Sequence, residues 1–116
     1  MAYESLLAHE LPALLARPDI VVLHMRDTVS YTRGHIEGAE PASEDNVSQL
    51  VRRRRQDPPI VVYCYHGNSS RDLCAFLSGL GFSRVFNLEG GWQAWRKASS
   101  LVSRNTLAPA DWRMVI

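Results

Sequence analysis

The chain has little cysteine, almost no excess charge and no long apolar stretch. Its two cysteines, Cys64 and Cys74, are too few for a disulfide framework, and they are not spaced as C-x-x-C. The four histidines, His9, His24, His35 and His66, form no tight H-x-x-x-H pair, so no metal site is expected. Thirteen basic against twelve acidic residues leave a formal net charge of +1. That lacks the basic excess that phosphate backbones demand, and no nucleic-acid partner is expected. The longest apolar run, residues 60–65, is far short of the ~20 residues of a spanning helix, which argues against a membrane partner. The start, Met-Ala-Tyr-Glu, lacks the basic residues and apolar stretch of a secretory signal. The expectation is a cytoplasmic protein with reduced thiols, whose chemistry needs no metal or cofactor.

What is present is a globular composition. Hydrophobic residues at 46% and charged residues at 22% of 116 can support one core and argue against disorder. Ile20-Val21-Val22-Leu23 and Ile60-Val61-Val62-Tyr63 are continuous apolar runs, with a weaker one at residues 84–88. Continuous rather than alternating runs mark strands buried on both faces, as in a parallel sheet. Helical patterns lie between them. Residues 10–16 place Leu11, Leu14 and Leu15 on one face, with Pro12 in the first turn. Residues 43–53 begin with acids and end in Arg52-Arg53-Arg54-Arg55, as the helix dipole favours, before Asp57-Pro58-Pro59 breaks the pattern. The arginine run is either a solvated helix end or a docking patch for acidic partners. Leu73, Phe76, Leu77 and Leu80 form the best apolar stripe, closed by Gly81 as the residue after the C-cap, and a last helix carries Trp92 and Trp95. This order predicts an α/β fold, a small doubly wound parallel sheet flanked by helices.

The chemically loaded segment is Cys64-Tyr65-His66-Gly67-Asn68-Ser69-Ser70-Arg71-Asp72. A buried strand delivers Cys64 to the carboxyl edge of the sheet, where α/β proteins place ligands. Gly67 and Asn68 tolerate the φ angles of a tight loop. Ser69 and Asp72 are spaced as a capping box for the next helix. The backbone N–H groups of such a loop, with the helix dipole behind them, converge on the sulfur. They favour the thiolate and any anion attached to it. Cys64 is therefore the candidate nucleophile, and Tyr65, His66, Gly67, Asn68, Ser69, Ser70 and Arg71 are the candidate binding residues. Arg71 in the first helical turn opposes the dipole; it either attracts an anionic substrate or pairs locally with Asp72. His66 either faces the entrance or is an exposed loop residue. Cys74 lies beside the apolar stripe and is expected to be a small core residue rather than a resolving thiol.

With these residues in view, the chain resembles the rhodanese family, and its small single-domain sulfurtransferases in particular. The loop Cys64-Tyr65-His66-Gly67-Asn68-Ser69-Ser70 is similar to that of the bacterial thiosulfate sulfurtransferases encoded with glycerol-phosphate genes. Arg26-Asp27 with Gly34-His35-Ile36-Glu37-Gly38-Ala39 resembles the family's N-terminal motif, and Leu88-Glu89-Gly90-Gly91-Trp92-Gln93-Ala94-Trp95 its C-terminal one. The family usually carries Asp two residues before the arginine of the first motif, where this chain has His24.

The resemblance implies a double-displacement enzyme. Cys64 would take the outer sulfur of thiosulfate as a persulfide and pass it to cyanide or to a small thiol or dithiol acceptor such as thioredoxin. Two other readings share the residues. One is a persulfide carrier with little thiosulfate turnover. The other is a related cysteine phosphatase or arsenate reductase, whose C-x5-R pattern would need arginine where this chain has Ser70. The resemblance covers roughly residues 5–98, and the expected domain is residues 1–98. Residues 99–116 form an extension containing Leu101, Val102, Leu107, Trp112, Met114, Val115 and Ile116. An apolar content of this kind is expected to pack on the domain or on a partner.

Overall fold

The computed structural model describes residues 3–25 and 27–106, the side chains of Thr28 and of residues 99–106 excepted. Arg26 of the first motif and the apolar residues of 107–116 therefore lie outside the described residues. The strands are β1 (Glu4–Leu6), β2 (Val21–His24), β3 (Glu40–Pro41), β4 (Ile60–Tyr63) and β5 (Val85–Leu88). They form one sheet in the order β1-β5-β4-β2-β3, with every neighbouring pair parallel. The helices are α1 (Leu11–Leu15), α2 (Thr28–Arg33), α3 (Glu44–Arg52), α4 (Ser70–Gly79) and α5 (Gly91–Thr106).

Strand β4 lies at the centre, and all four of its residues are fully buried. Side chains alternate across a strand, so Val61 and Tyr63 enter one core with Leu6, Leu11, Val22, Ile36 and Leu88. Ile60 and Val62 enter the other with Leu50, Cys74, Leu77 and Phe82. Trp92 and Trp95 of α5 pack on the first core. Helices thus cover both faces, which is the doubly wound arrangement expected of continuous apolar strands.

Local signals explain the helix ends. Ser43 Oγ accepts from Asn46 N at 3.1 Å and caps α3, whose first turn carries Glu44 and Asp45 and whose last carries Arg52. Gly81, at φ +109, follows the C-cap of α4. Gly81 N donates to Ser78 O and Phe82 N to Leu77 O, a Schellman pattern with Phe82 and Leu77 in the same core. Arg52, Arg53, Arg54 and Arg55 are all exposed. The expected boundary at residue 98 falls inside α5, whose backbone stays helical to Thr106.

Candidate active site

Cys64 follows the last residue of β4 and is 5% exposed. The loop after it is held from behind by α5. Trp92 N donates to Cys64 O at 2.8 Å and Gln93 N to Tyr65 O at 3.1 Å. First-turn N–H groups have no acceptor within their own helix, and here they secure the carbonyls of the loop. With those carbonyls turned toward α5, the following N–H groups are free to face the sulfur. The approach demands glycine at two points. A Cβ on Gly91, at φ +58, would lie 2.2 Å from Cys64 O, and one on Gly67, at φ +93, would lie 2.9 Å from Gly90 N. That explains why the loop and the Leu88-Glu89-Gly90-Gly91 turn occur together.

The sulfur accepts from Gly67 N at 3.1 Å, and as a thiol it donates to Ser70 Oγ at 3.4 Å. Burial pushes the Cys64 thiol up, but the Ser70 side chain and the N–H groups of Ser70, Gly67 and Ser69 outweigh it and hold it below its ordinary value. The expected capping box at Ser69 and Asp72 does not form. Ser69 has helical backbone angles and makes no side-chain cap. Capping needs an extended residue, whereas a helical Ser69 keeps its own N–H among those that favour the thiolate. Cys74 sits on α4, wholly buried, with its thiol near Phe86 O at 3.6 Å. Burial, with the charges of Cys64 and Glu89 adding to it, pushes this thiol up to about 12. It is a core residue, as expected.

Behind the sulfur runs a polar chain that sequence reasoning missed. The Ser70 hydroxyl donates to Asn87 Oδ1. Asn87 Nδ2 donates to Gly67 O at 3.0 Å and to Glu89 Oε2 at 2.9 Å. Glu89 also accepts from Ser5 Oγ at 2.8 Å and from Arg71 Nη2 at 3.1 Å. Its carboxyl is held below the usual range, first by the Asn87 hydrogen bond, which burial opposes, and then to a lesser extent by Ser5 and Arg71. The signal was present in Val85-Phe86-Asn87-Leu88, because an amide inside a doubly buried strand requires partners.

In front of the sulfur lies an open cleft of about 490 Å³, lined by Met25, Asp27, Ser30, Cys64, Tyr65, His66, Asn68 and Ser69. Of the expected binding residues, Tyr65, His66, Asn68 and Ser69 line it, with the Tyr65 and His66 rings edge to face at 4.6 Å. Gly67 and Ser70 are buried against the sulfur. Arg71 stands apart, paired with Glu89 rather than with Asp72 or the cleft. An arginine fork over the cysteine, which phosphoryl transfer uses, is therefore not formed by Arg71. Met25, Asp27 and Ser30 are additions to the expected set. Asp27 caps α2 by accepting from Ser30 N at 2.7 Å, which brings that helix end to the cleft.

His24, where the family usually has Asp, is buried beneath this layer. Its Nδ1 shares a hydrogen bond of 2.6 Å with Tyr63 Oη, which also accepts from Ile36 N at 3.0 Å. The pair ties β2, β4 and the Gly34–Ala39 motif together just before Cys64. Among the described residues, no cluster of three or more His, Cys, Asp or Glu side chains could hold a metal ion, and no helix is long and apolar enough to cross a membrane.

A central parallel strand, a cysteine at its carboxyl end and a loop of inward N–H groups define a domain built around one activated thiol. A family profile described as a rhodanese-like domain matches residues 7–98, and the chain belongs to that family. The chain is 36% identical over 100 residues to the thiosulfate sulfurtransferase GlpE of Pseudoalteromonas translucida, a match spanning 86% of this chain and 95% of that protein. It is 43% identical over 76 residues to the protein of the same name from Pseudomonas fluorescens, spanning 66% and 70%. Among solved structures, a protein of unknown function from Rhodopseudomonas palustris, described as a possible tyrosine phosphatase, superposes with a TM-score of 0.70 at 26% identity. That match covers 84% of this chain and 82% of the other.

Proposed function

We propose that this protein is a thiosulfate sulfurtransferase working by double displacement on Cys64. The observation that carries this reading is a thiol whose hydrogen bonds from Ser70, Gly67 and Ser69 outweigh its burial, at the floor of an open cleft. The thiolate attacks the outer sulfur of thiosulfate. A bond forms between Cys64 Sγ and that sulfur, the sulfur–sulfur bond of thiosulfate breaks, and its electron pair leaves with sulfite. The persulfide left behind is anionic on its outer atom, which the loop N–H groups stabilise. Cyanide then attacks the outer sulfur, departs as thiocyanate and restores the thiolate. A small thiol or a dithiol such as thioredoxin can take the same sulfur.

The names of the curated relatives support thiosulfate as the donor. Tyr65, His66, Asn68 and Ser69 are the substrate contacts in this reading, while Gly67 and Ser70 serve the sulfur itself. Arg71 acts from outside the cleft, through Glu89. A reducing compartment such as the cytoplasm suits the chemistry, because the thiol must remain free.

The test is intact mass after incubation with thiosulfate. The expected result is a gain of one sulfur atom that cyanide removes as thiocyanate, abolished in Cys64→Ser and kept in Cys74→Ser. Absence of the adduct in the folded wild type, or its survival in Cys64→Ser, overturns the reading. The extension beyond residue 98 is proposed to pack on the domain or on a partner. Deleting residues 107–116 is expected to lower the melting temperature or change the mass by light scattering, with the persulfide still formed. Lost turnover with melting and mass unchanged would place that segment in the site instead.

A further inference from the structure

Ser70 has one hydroxyl proton and two acceptors for it. With Cys64 as a thiol the chain is unbroken: Cys64 donates to Ser70 Oγ at 3.4 Å, and Ser70 donates to Asn87 Oδ1. Once the sulfur ionises it becomes an acceptor, and the same proton satisfies either the sulfur or Asn87. Ser70 and Asn87 are both 0% exposed, so solvent does not take the place of the missing bond. Nor can Asn87 turn its amide over. Its Nδ2 faces the Gly67 carbonyl and the Glu89 carboxylate. Both are acceptors, and a turned amide would set oxygen against oxygen. Glu89 is in turn held by Ser5 and Arg71.

We propose that Asn87 is a positioning residue for Cys64, its fixed carboxamide oxygen competing with the sulfur for the single proton of Ser70. Asn87 then does two opposed things. Its nitrogen holds the Gly67 carbonyl and so shapes the loop that favours the thiolate. Its oxygen draws away the one side-chain donor that the thiolate could use. Asn87 thereby opposes the loop N–H groups, and the thiolate gains the Ser70 side-chain hydrogen bond only when that hydroxyl rotates from Asn87 to the sulfur. This inference rests on the reading of Cys64 as the nucleophile.

The test is the pH dependence of Cys64 alkylation by iodoacetamide, followed by peptide mass, in the wild type and two variants of opposite sign. Asn87→Leu removes the acceptor together with the nitrogen that holds the Gly67 carbonyl, so the competition is read as the part of its effect that needs Ser70. The shift in the apparent pKa of Cys64 is expected to lie about half a unit or more lower with Ser70 present than in a Ser70→Ala background, as for one hydrogen bond gained by the charged form. Asn87→Asp makes the competitor stronger and anionic, and the pKa is expected to rise by at least as much. A disturbance of packing would be the same in both backgrounds; no difference between the backgrounds for either variant overturns the proposal. An Asn87→Leu shift of the same size with and without the Ser70 hydroxyl overturns the route through Ser70. If Asn87→Leu does not fold, Asn87→Asp compared in the wild-type and Ser70→Ala backgrounds serves. An upward shift that is larger with Ser70 present than without it is expected there, and equal shifts overturn the proposal. Alkylation needs no sulfur donor, so a failure of thiosulfate chemistry with these shifts intact would count against the sulfurtransferase reading alone.

Discussion

Cys64 and Cys74 are both buried, both reduced and packed close to the same strand, yet their thiols are pushed in opposite directions. Burial raises each of them. The difference lies in what surrounds the sulfur. Around Cys64 the chain turns N–H groups inward, because α5 holds the carbonyls of Cys64 and Tyr65 from the other side. Around Cys74 the chain is a regular helix, whose N–H groups are consumed by its own carbonyls. What remains near that sulfur is apolar packing and the Phe86 carbonyl, an acceptor. Reactivity in this fold follows from where backbone donors are left over, rather than from depth.

The largest expected effect is in alkylation. Near pH 8, a thiol at about 12 is ionised to roughly one part in ten thousand, while one below its ordinary value is ionised to a tenth or more. Iodoacetamide should therefore modify Cys64 at least about a thousandfold faster than Cys74 in the native protein. Mapping the adducts by peptide mass checks this. Comparable rates for the two would break the comparison at its root.

A pair of glycine substitutions sharpens it next. Gly91→Ala places a Cβ against the carbonyl of Cys64 at a positive φ, whereas nothing lies within 4 Å of a Cβ on Gly79, at the end of α4, the helix that carries Cys74. Gly91→Ala is expected to destabilise the fold by more than about 2 kcal/mol and to slow Cys64 alkylation. Gly79→Ala is expected to stabilise by roughly 0.5 kcal/mol and to leave Cys64 unchanged. Denaturant titration and the alkylation rate together read both. Equal effects at the two positions would mean that the close approach of α5 does not shape the loop.

The two regions also differ in how far they could be seen in the sequence. The Cys74 region is local: the Leu73, Phe76, Leu77, Leu80 stripe and Gly81 specify α4 and its end within a dozen residues, although Phe76 at the edge of the stripe stays exposed. For Cys64, the strand, the cysteine at its end and the loop are equally local and were legible. Its support was not. Asn87, Glu89 and Ser5 reach the site through pairing of β1 with β5, and β1 and β3 are short edge strands without an apolar run of their own. Their existence depends on neighbours already in place. The helical backbone of Ser69 is a further case. Sequence spacing proposes a cap, but Ser69 turns helical where its own N–H joins those of Gly67 and Ser70 in favouring the sulfur, an arrangement that exists only once the loop has closed.

The smallest expected effect concerns Arg71, whose ion pair with Glu89 joins the surface to the Cys64 region. The side chain of Arg71 is 50% exposed, so solvent screens the pair, and Arg71→Ala should cost no more than about 0.5 kcal/mol near neutral pH. Glu89 is held in its charged form first by Asn87, and Arg71 adds less. Its carboxyl is lowered in the folded state, so the stabilisation is present above the ordinary 4.5 and is lost as pH falls through the lowered value. The gap between wild type and Arg71→Ala should therefore close in acid, when Glu89 takes up a proton. Melting temperatures of both proteins across that range measure it. Cys64 alkylation should change less than about twofold, because Asn87 still holds Glu89. A different outcome would return Arg71 to the substrate: a raised KM for thiosulfate in Arg71→Ala that fades as salt is added, with melting unchanged, is the signature of steering an anion rather than bracing a loop.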